Sequence, residues 1–317
     1  MNGTIKRAML GMTMGALALS STVVVASPAA ATPSPVPPAV TWLESAVNSK
    51  GVIKTTSGAP DPSGTPNWGA TTDALVALGL NGGDPAVVTS MAKALSKHLD
   101  ADIVSTASGS PADDAAKLAE LSIASLVAQQ VVTGTNPLKP GKLIARLLAT
   151  QRPNGLFGRT DATYDGVFRQ GLALMAISLS GKLDRYQGKV AKAVSWLTKQ
   201  QCDDGGFPSL KKSPGPGCTS DPASYLGPDS NSTAFAIVGL SQVGAPSTPT
   251  DPMGKALAWL KSNENANATW GWFPTNDGDP SSTALAVLAL GSAGLDPSAT
   301  TGDLARGGIS PVDAMFS

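Results

Sequence analysis

Gln151-Arg152-Pro153-Asn154-Gly155-Leu156-Phe157 and Gln201-Cys202-Asp203-Asp204-Gly205-Gly206-Phe207 are two copies of one phrase, Gln-x-x-x-Gly-x-Phe. Each follows a helix-period run. A relative, Trp270-Gly271-Trp272-Phe273, closes a further unit, and another begins at Asn67-Trp68-Gly69. After each comes a helix of small residues ending in a Leu/Gly step, as in Thr233 to Leu240. Self-similarity at this period is the signature of a repeat array, in which each hairpin buries its apolar face against the next. The expected fold class is therefore all-α.

Five units can be marked around these phrases. The first, Ala39 to Asp84, predicts helices near Val40–Asn48 and Thr71–Leu80. The second, Pro85 to Pro137, predicts them near Val87–Leu99 and Asp113–Gln130. The third, Leu138 to Leu183, has Gly141–Thr150 and Gly166–Leu179; the fourth, Asp184 to Ser247, has Tyr186–Gln201 and Ser232–Val243. The fifth, Thr248 to Ser298, has Met253–Asn263 and Ser281–Ala293. Gly and Pro punctuate the helices within each unit. Units four and five match best: Trp196-Leu197 aligns with Trp259-Leu260, and Asp229 to Ala234 aligns with Asp279 to Ala284. Trp196 and Trp259 recur at one repeat position, which makes them core residues rather than a ligand-stacking pair. The tail, residues 299–317, reads as the start of a partial sixth unit.

The chain has 317 residues, 42% of them hydrophobic, and its 23 basic residues are matched by 23 acidic ones. No basic block stands out, which excludes a nucleic-acid partner. Aromatics make up only 5%, while Ala and Gly abound, as close helix–helix packing requires. Lys6 and Arg7, the apolar run Ala8 to Val25 and the small residues Ala29-Ala30-Ala31 form a signal peptide over residues 1–31, with cleavage after Ala31. Thr32 to Pro38 reads as a Pro-rich linker. The mature protein is thus expected to be secreted or cell-surface associated, without a membrane span of its own. The two cysteines, Cys202 and Cys218, share one Gly/Pro-rich loop, and an exported protein most simply joins such a pair as a disulfide.

These phrases resemble the repeats of the terpenoid cyclase and protein prenyltransferase superfamily, the squalene-cyclase-like α/α toroids; the Gln-x-x-x-Gly-x-Phe element is similar to that family's QW repeat. The resemblance covers most of residues 39–298 and is strongest in units three to five. It implies a double ring of helical hairpins, here five repeats plus a partial sixth, with a central cavity at one end. Whether ten full helices close a ring that would want twelve stays open.

The family's chemistry can be sought residue by residue. Cyclases that begin by protonation carry Asp-x-Asp-Asp-Thr-Ala at the start of an inner helix, where an acid must be strong enough to protonate an alkene or epoxide. At the matching place stands Asp229-Ser230-Asn231-Ser232-Thr233-Ala234: the frame without its two central acids. Asp279 to Ala284 lacks them too. Asp113 and Asp114 form an adjacent acidic pair, placed about one turn early and read as helix caps. Catalytic candidates are therefore Asp229, Asp113 and Asp114 and no more. Zinc in the prenyltransferase manner needs Asp, Cys and His together, but His98 is the sole histidine and lies in a different unit from both cysteines. His98 follows Lys97 on an apparently outer helix and reads as a surface residue. A thioester run Cys-Gly-Glu-Gln is absent. No cofactor is predicted; Asp203 and Asp204 with Asp277 and Asp279 match no calcium loop.

What remains is a polar ring ahead of the inner helices: Thr71, Thr72 and Asp73; Tyr164 and Asp165; Asp229, Asn231 and Ser232; Asp277, Asp279 and Ser281. Ser, Thr, Asp and Asn are favoured helix caps, yet not every member of the ring can be one. Thr72, Asp73, Asp165, Asp229, Asn231, Ser232, Asp279 and Ser281 are the expected ligand-binding rim. The resulting expectation is an exported, non-catalytic repeat protein that binds a small ligand, glycan or extracellular protein at the cavity or rim. The alternatives are a polyprenoid cyclase with a degenerate acid motif and a cobalamin-type cofactor carrier.

Overall fold

The computed structural model describes residues 36–56, 59–104, 114–132, 134–158, 166–209, 218 and 227–316. The signal peptide, most of the linker, Asp113, Tyr164 and Asp165 lie outside them. The chain divides into two compact units between Arg146 and Leu147. Among the described residues no helix is long and apolar enough to cross a membrane.

The unit before Leu147 holds α1 (Val36–Ala46), α2 (Trp68–Leu80), α3 (Pro85–His98), α4 (Ala115–Val131) and most of α5 (Pro140–Ala149). A π-helical turn, Leu99–Ile103, follows α3. A three-stranded antiparallel sheet, unforeseen in the sequence, fills the loop before α2: β1 (Lys54–Thr56) lies between β2 (Ala59–Pro60) and β3 (Thr65–Pro66). α2 packs on α4, and α3 on both. The unit from Leu147 onward holds α6 (Gly166–Leu179), α7 (Gln187–Thr198), α8 (Ser230–Gln242), α9 (Pro252–Ser262), α10 (Pro280–Ser292) and the four-residue α11 (Pro311–Ala314). There α8 packs against α6, α9 and α10. α6 has the bounds that the pattern predicts; most other boundaries shift by a few residues because a cap or a proline, rather than the apolar period, sets the first turn. α8 starts at Ser230 because Asp229 caps it, and α10 starts at Pro280 behind Asp279.

The small residues are there for backbone approach. A Cβ on Gly171 of α6 would lie 2.2 Å from the Phe235 carbonyl oxygen of α8, and one on Gly239 would lie 2.8 Å from the Gly171 Cα. The two helices touch through their main chains, which only glycine permits.

The phrase has a fixed geometry and more copies than the sequence shows. In Gln151–Phe157, Arg152 N–H donates to Leu156 O and Gly155 N–H to Arg152 O, with Gly155 at φ +99°. Gln201–Phe207 repeats this, with Gly205 at +97°. So do two segments unlike them in sequence: Val47–Ile53, with Gly51 at +76°, and Glu264–Trp270, with Ala268 at +62°. The register of the fifth unit is thus Glu-x-x-x-Ala-x-Trp ending at Trp270, rather than the Trp270–Phe273 run; in the first unit Asn67 is a helix cap and the phrase lies earlier. Cys202 and Cys218 form the expected disulfide, with Cα atoms 5.3 Å apart.

Gly171→Ala is expected to lower unfolding free energy by about 2 kcal/mol, because the α6–α8 contact cannot yield without moving backbone. Gly188→Ala in α7, where a new Cβ meets nothing within 4 Å, serves as control and should be neutral or stabilising by about 0.5–1 kcal/mol. Urea denaturation of both variants measures the difference.

Candidate functional site

Each helix that follows a phrase receives the phrase's last amide on one of its side chains, a clip. The last residue of the phrase is extended and has no ladder partner for its amide. In the later unit Phe157 N–H donates to Gln170 Oε1 at 3.0 Å, Phe207 N–H to Thr233 Oγ1 at 2.9 Å, and Trp270 N–H to Thr283 Oγ1 at 3.0 Å. The returning bond joins the cap to the same residue: Asp229 N–H donates to Phe207 O and Asp279 N–H to Trp270 O. In the earlier unit Ile53 N–H donates to Thr71 Oγ1, and Asn67 N–H to Ile53 O. Cap and clip are four residues apart at Asn67/Thr71, Asp229/Thr233 and Asp279/Thr283. The Thr of the Asp-x-x-Ser-Thr-Ala frame is therefore structural.

Asp229 is the centre of the candidate site. It is 1% exposed, its Oδ1 accepts Ser232 N–H at 2.7 Å, and the Trp272 indole donates to its carboxyl. Burial pushes its pKa up to about 6, against the hydrogen bonds from Ser232, Trp272 and Asn231 that pull it down. Beside it, Ser230 Oγ and Asn231 Oδ1 are buried and have no hydrogen-bond partner among the described residues. Ser232 Oγ lies 3.5 Å from Ser209 Oγ. Trp272, tied to this helix start by its carbonyl on Ser230 N–H, is 40% exposed. Asp279 caps α10 through Ser282 N–H, while Ser281 and Asp277 are exposed. Asp204 accepts from Gly206 N–H in its own turn and from the Trp259 indole of α9, so its carboxylate ties the phrase to that helix. Trp196 and Trp259 are buried, as repeat core residues should be.

In the earlier unit Asp114 caps α4, accepting from Ala116 and Lys117 N–H. Thr72 is buried, its hydroxyl donating to Trp68 O. Asp73 faces a charged group on α4: Lys117 Nζ binds Glu120 at 2.9 Å. Desolvation by the neighbouring protein raises both carboxyls, the half-buried Glu120 and Asp73, which is itself exposed at the surface, with Lys117 opposing. Burial pulls the Lys117 ammonium down, but Glu120, Asp114 and Asp73 leave it raised on balance. His98 is no free surface residue: its Nδ1 lies 2.5 Å from Asp102 Oδ2 and its ring stacks on Trp68, centroids 4.6 Å apart. Sequence reading missed Gln170, Glu120 and Trp272. The first could have been found from its offset behind the phrase; the other two carry no periodic signal.

Residues 81–272, more than half of the chain, match the family model of the squalene-hopene cyclase C-terminal domain. The chain belongs to that family. It is similar to the squalene–hopene cyclase of Zymomonas mobilis subsp. mobilis, 29% identical over 152 residues that make up 46% of this chain and 21% of that protein. It is also similar to the drimenyl diphosphate synthase of Streptomyces showdoensis, 33% identical over 119 residues, 36% of this chain and 20% of that one. The chain thus spans about a fifth of the length of these curated relatives. Among solved structures, the Candida albicans protein geranylgeranyltransferase-I complexed with GGPP superposes with a TM-score of 0.51 at 13% identity, covering 90% of this chain and 83% of that chain. That likeness shows the fold, the all-α toroid class.

Asp229 sets an expectation in solution. An acid whose folded-state pKa is raised stabilises the fold while protonated. Its contribution is full below its ordinary value of 3.8 and is lost as pH rises through about 6. Asp229→Asn should flatten that part of the stability–pH curve. Asp229→Ala, which also removes the cap, should lose about 1 kcal/mol more than the Asn variant. Denaturant titrations at a series of pH values from 4 to 8 test both.

Proposed function

We propose that this chain is an exported, non-catalytic member of its family that binds a small ligand, a glycan or a protein at the start of α8. The observation that carries the reading is the state of the one acid left in the frame. A protonating acid must be open to its substrate, and Asp229 is 1% exposed with its carboxyl accepting hydrogen bonds from Ser232 and Trp272. Asn231 and Ser232 occupy the places of the two central acids, and neither side chain is an acid of useful strength. A binding role draws support from Ser230 Oγ and Asn231 Oδ1, since a buried polar atom left unpaired costs about 1–3 kcal/mol until a donor satisfies it. Export rests on the signal peptide read in residues 1–31.

One observation favours a second reading, an enzyme acting on polyprenoids with an acid in the earlier unit. Desolvation raises both the half-buried Glu120 and the exposed Asp73, and general acids are tuned in that direction. Purified mature protein incubated with squalene and, separately, with geranylgeranyl diphosphate is expected to return both unchanged. Native mass spectrometry of protein taken from its own secretion medium is expected to show mass beyond the polypeptide. Product formation lost in Asp73→Asn or Glu120→Gln would replace the first reading with the second.

A further inference from the structure

Ala39-Val40-Thr41-Trp42-Leu43 of α1 repeats Ala193-Val194-Ser195-Trp196-Leu197 of α7 and Ala256-Leu257-Ala258-Trp259-Leu260 of α9, and each tryptophan stands five residues ahead of its own phrase. The same residues meet different surroundings. Trp196 and Trp259 are 7% and 6% exposed, and the first Ala and the Leu of both runs are buried. Trp42 is 56% exposed, Ala39 is exposed with it, and Leu43 is half-buried. What lies against the buried runs is the glycine turn of the preceding phrase. The Trp259 indole donates to Asp204 at 3.1 Å, a Cβ on Gly206 would lie 2.6 Å from the Trp259 ring, and one on Gly205 would lie 2.7 Å from Lys255 O. At α7 a Cβ on Gly155 would lie 2.1 Å from Lys192 O. A backbone turn without side chains thus fills this helix face in two repeats, and α1 presents the same face to solvent.

The occupant that fits must bring a turn whose glycines have nothing on them. Of the three adjacent glycine pairs in the chain, Gly307-Gly308 is the one at which an added Cβ would meet nothing within 4 Å at either residue. The pair forms a tight turn at φ +60° and +82°, closed by Arg306 N–H on Ile309 O at 3.0 Å and Ile309 N–H on Arg306 O at 3.1 Å. The residues Gly307-Gly308-Ile309 parallel Gly205-Gly206-Phe207, and Ile309, in the place of the buried Phe207, is 42% exposed. We propose that α1 is a docking face for a second copy of this chain, which seats its Gly307-Gly308 turn on Pro38 and Trp42 as the Gly205-Gly206 turn is seated on Lys255 and Trp259. Pro38 and Lys255 both stand four residues ahead of the tryptophan, so the register is the same. The contact withdraws Trp42 and Ile309 from water together. Units at the edge of a repeat array are normally polar on the outer side, and an exposed apolar face marks an interaction site. Here α1 keeps the residues of an interior repeat, and the partner is accordingly of interior type. The two faces differ, so association is head-to-tail: each copy gives its turn to one neighbour and its α1 face to another.

Sedimentation velocity of the full mature chain from about 1 to about 200 µM reads the contact, the range suited to an interface smaller than about 1,200 Å². The average sedimentation coefficient should rise across it. Trp42→Ala removes the face, and Gly307→Asn puts a side chain on the turn that a left-handed position still accepts. Both positions are exposed, so the single chain should fold as before. Each variant alone should have its dissociation constant raised on the order of tenfold or more. An equimolar mixture retains one intact turn, on the Trp42→Ala chain, and one intact face, on the Gly307→Asn chain, and should form a dimer and nothing larger. A wild type that stays monomeric throughout, association unchanged in either variant, or a mixture that stays monomeric would overturn the proposal. Should a variant not fold, hydrogen–deuterium exchange of the wild type at the two ends of the range decides: residues 38–43 and 306–309 gain protection together at high concentration, and a gain in fewer than both refutes the contact.

Discussion

One backbone amide per hairpin determines how this chain folds. The last residue of each phrase leaves a tight turn in extended conformation, and its N–H has neither strand nor helix to pair with. Left buried and unpaired it would destabilise each hairpin by about 1–3 kcal/mol. The chain solves this with a hydroxyl or amide placed on the next helix: Thr71, Gln170, Thr233 and Thr283 receive that N–H. The receiving side chain stands four residues past the capping residue at Asn67, Asp229 and Asp279, so a single first turn both ends the loop and starts the helix. Helix direction, cap and packing face then follow from one local event. Gln170 does more than its threonine counterparts, since its amide also holds Gly155 O and Ala193 O.

The glycine of the phrase is the second constraint, and it is tertiary in origin. A Cβ at Gly51, Gly155 or Gly205 would meet the carbonyl oxygen of Ser90, Lys192 or Lys255 at 2.4, 2.1 or 2.7 Å, each on the next helix but one, α3, α7 and α9. Positive φ and close approach together leave no other residue. Ala268 breaks the rule with φ +62°. In the same turn Glu264 stands in the glutamine place, and it pairs with Arg306 of the segment that follows α10.

The candidate site carries the mark of the same architecture. The position where a cyclase of this family would place its acids holds a cap and a clip. Asp229 holds a helix and an indole; Thr233 holds a turn. The two central places of the frame hold Asn231 and Ser232.

The fold class, the hairpin repeat, the disulfide pair and the absence of the two central acids were all legible in the sequence, because each is a matter of residue type at a fixed local spacing. α6 came out at its predicted bounds for that reason. The copies at Val47–Ile53 and Glu264–Trp270 were not legible, since their turn is defined by backbone geometry that Val and Glu satisfy as well as Gln does. Nor were the burial of Asp229, the pairing of Glu264 with Arg306, or the exposure of Trp272. A cap can be named from its own segment. Whether its carboxyl faces water or protein depends on atoms brought in from Trp272, more than forty residues away, and only tertiary packing determines that.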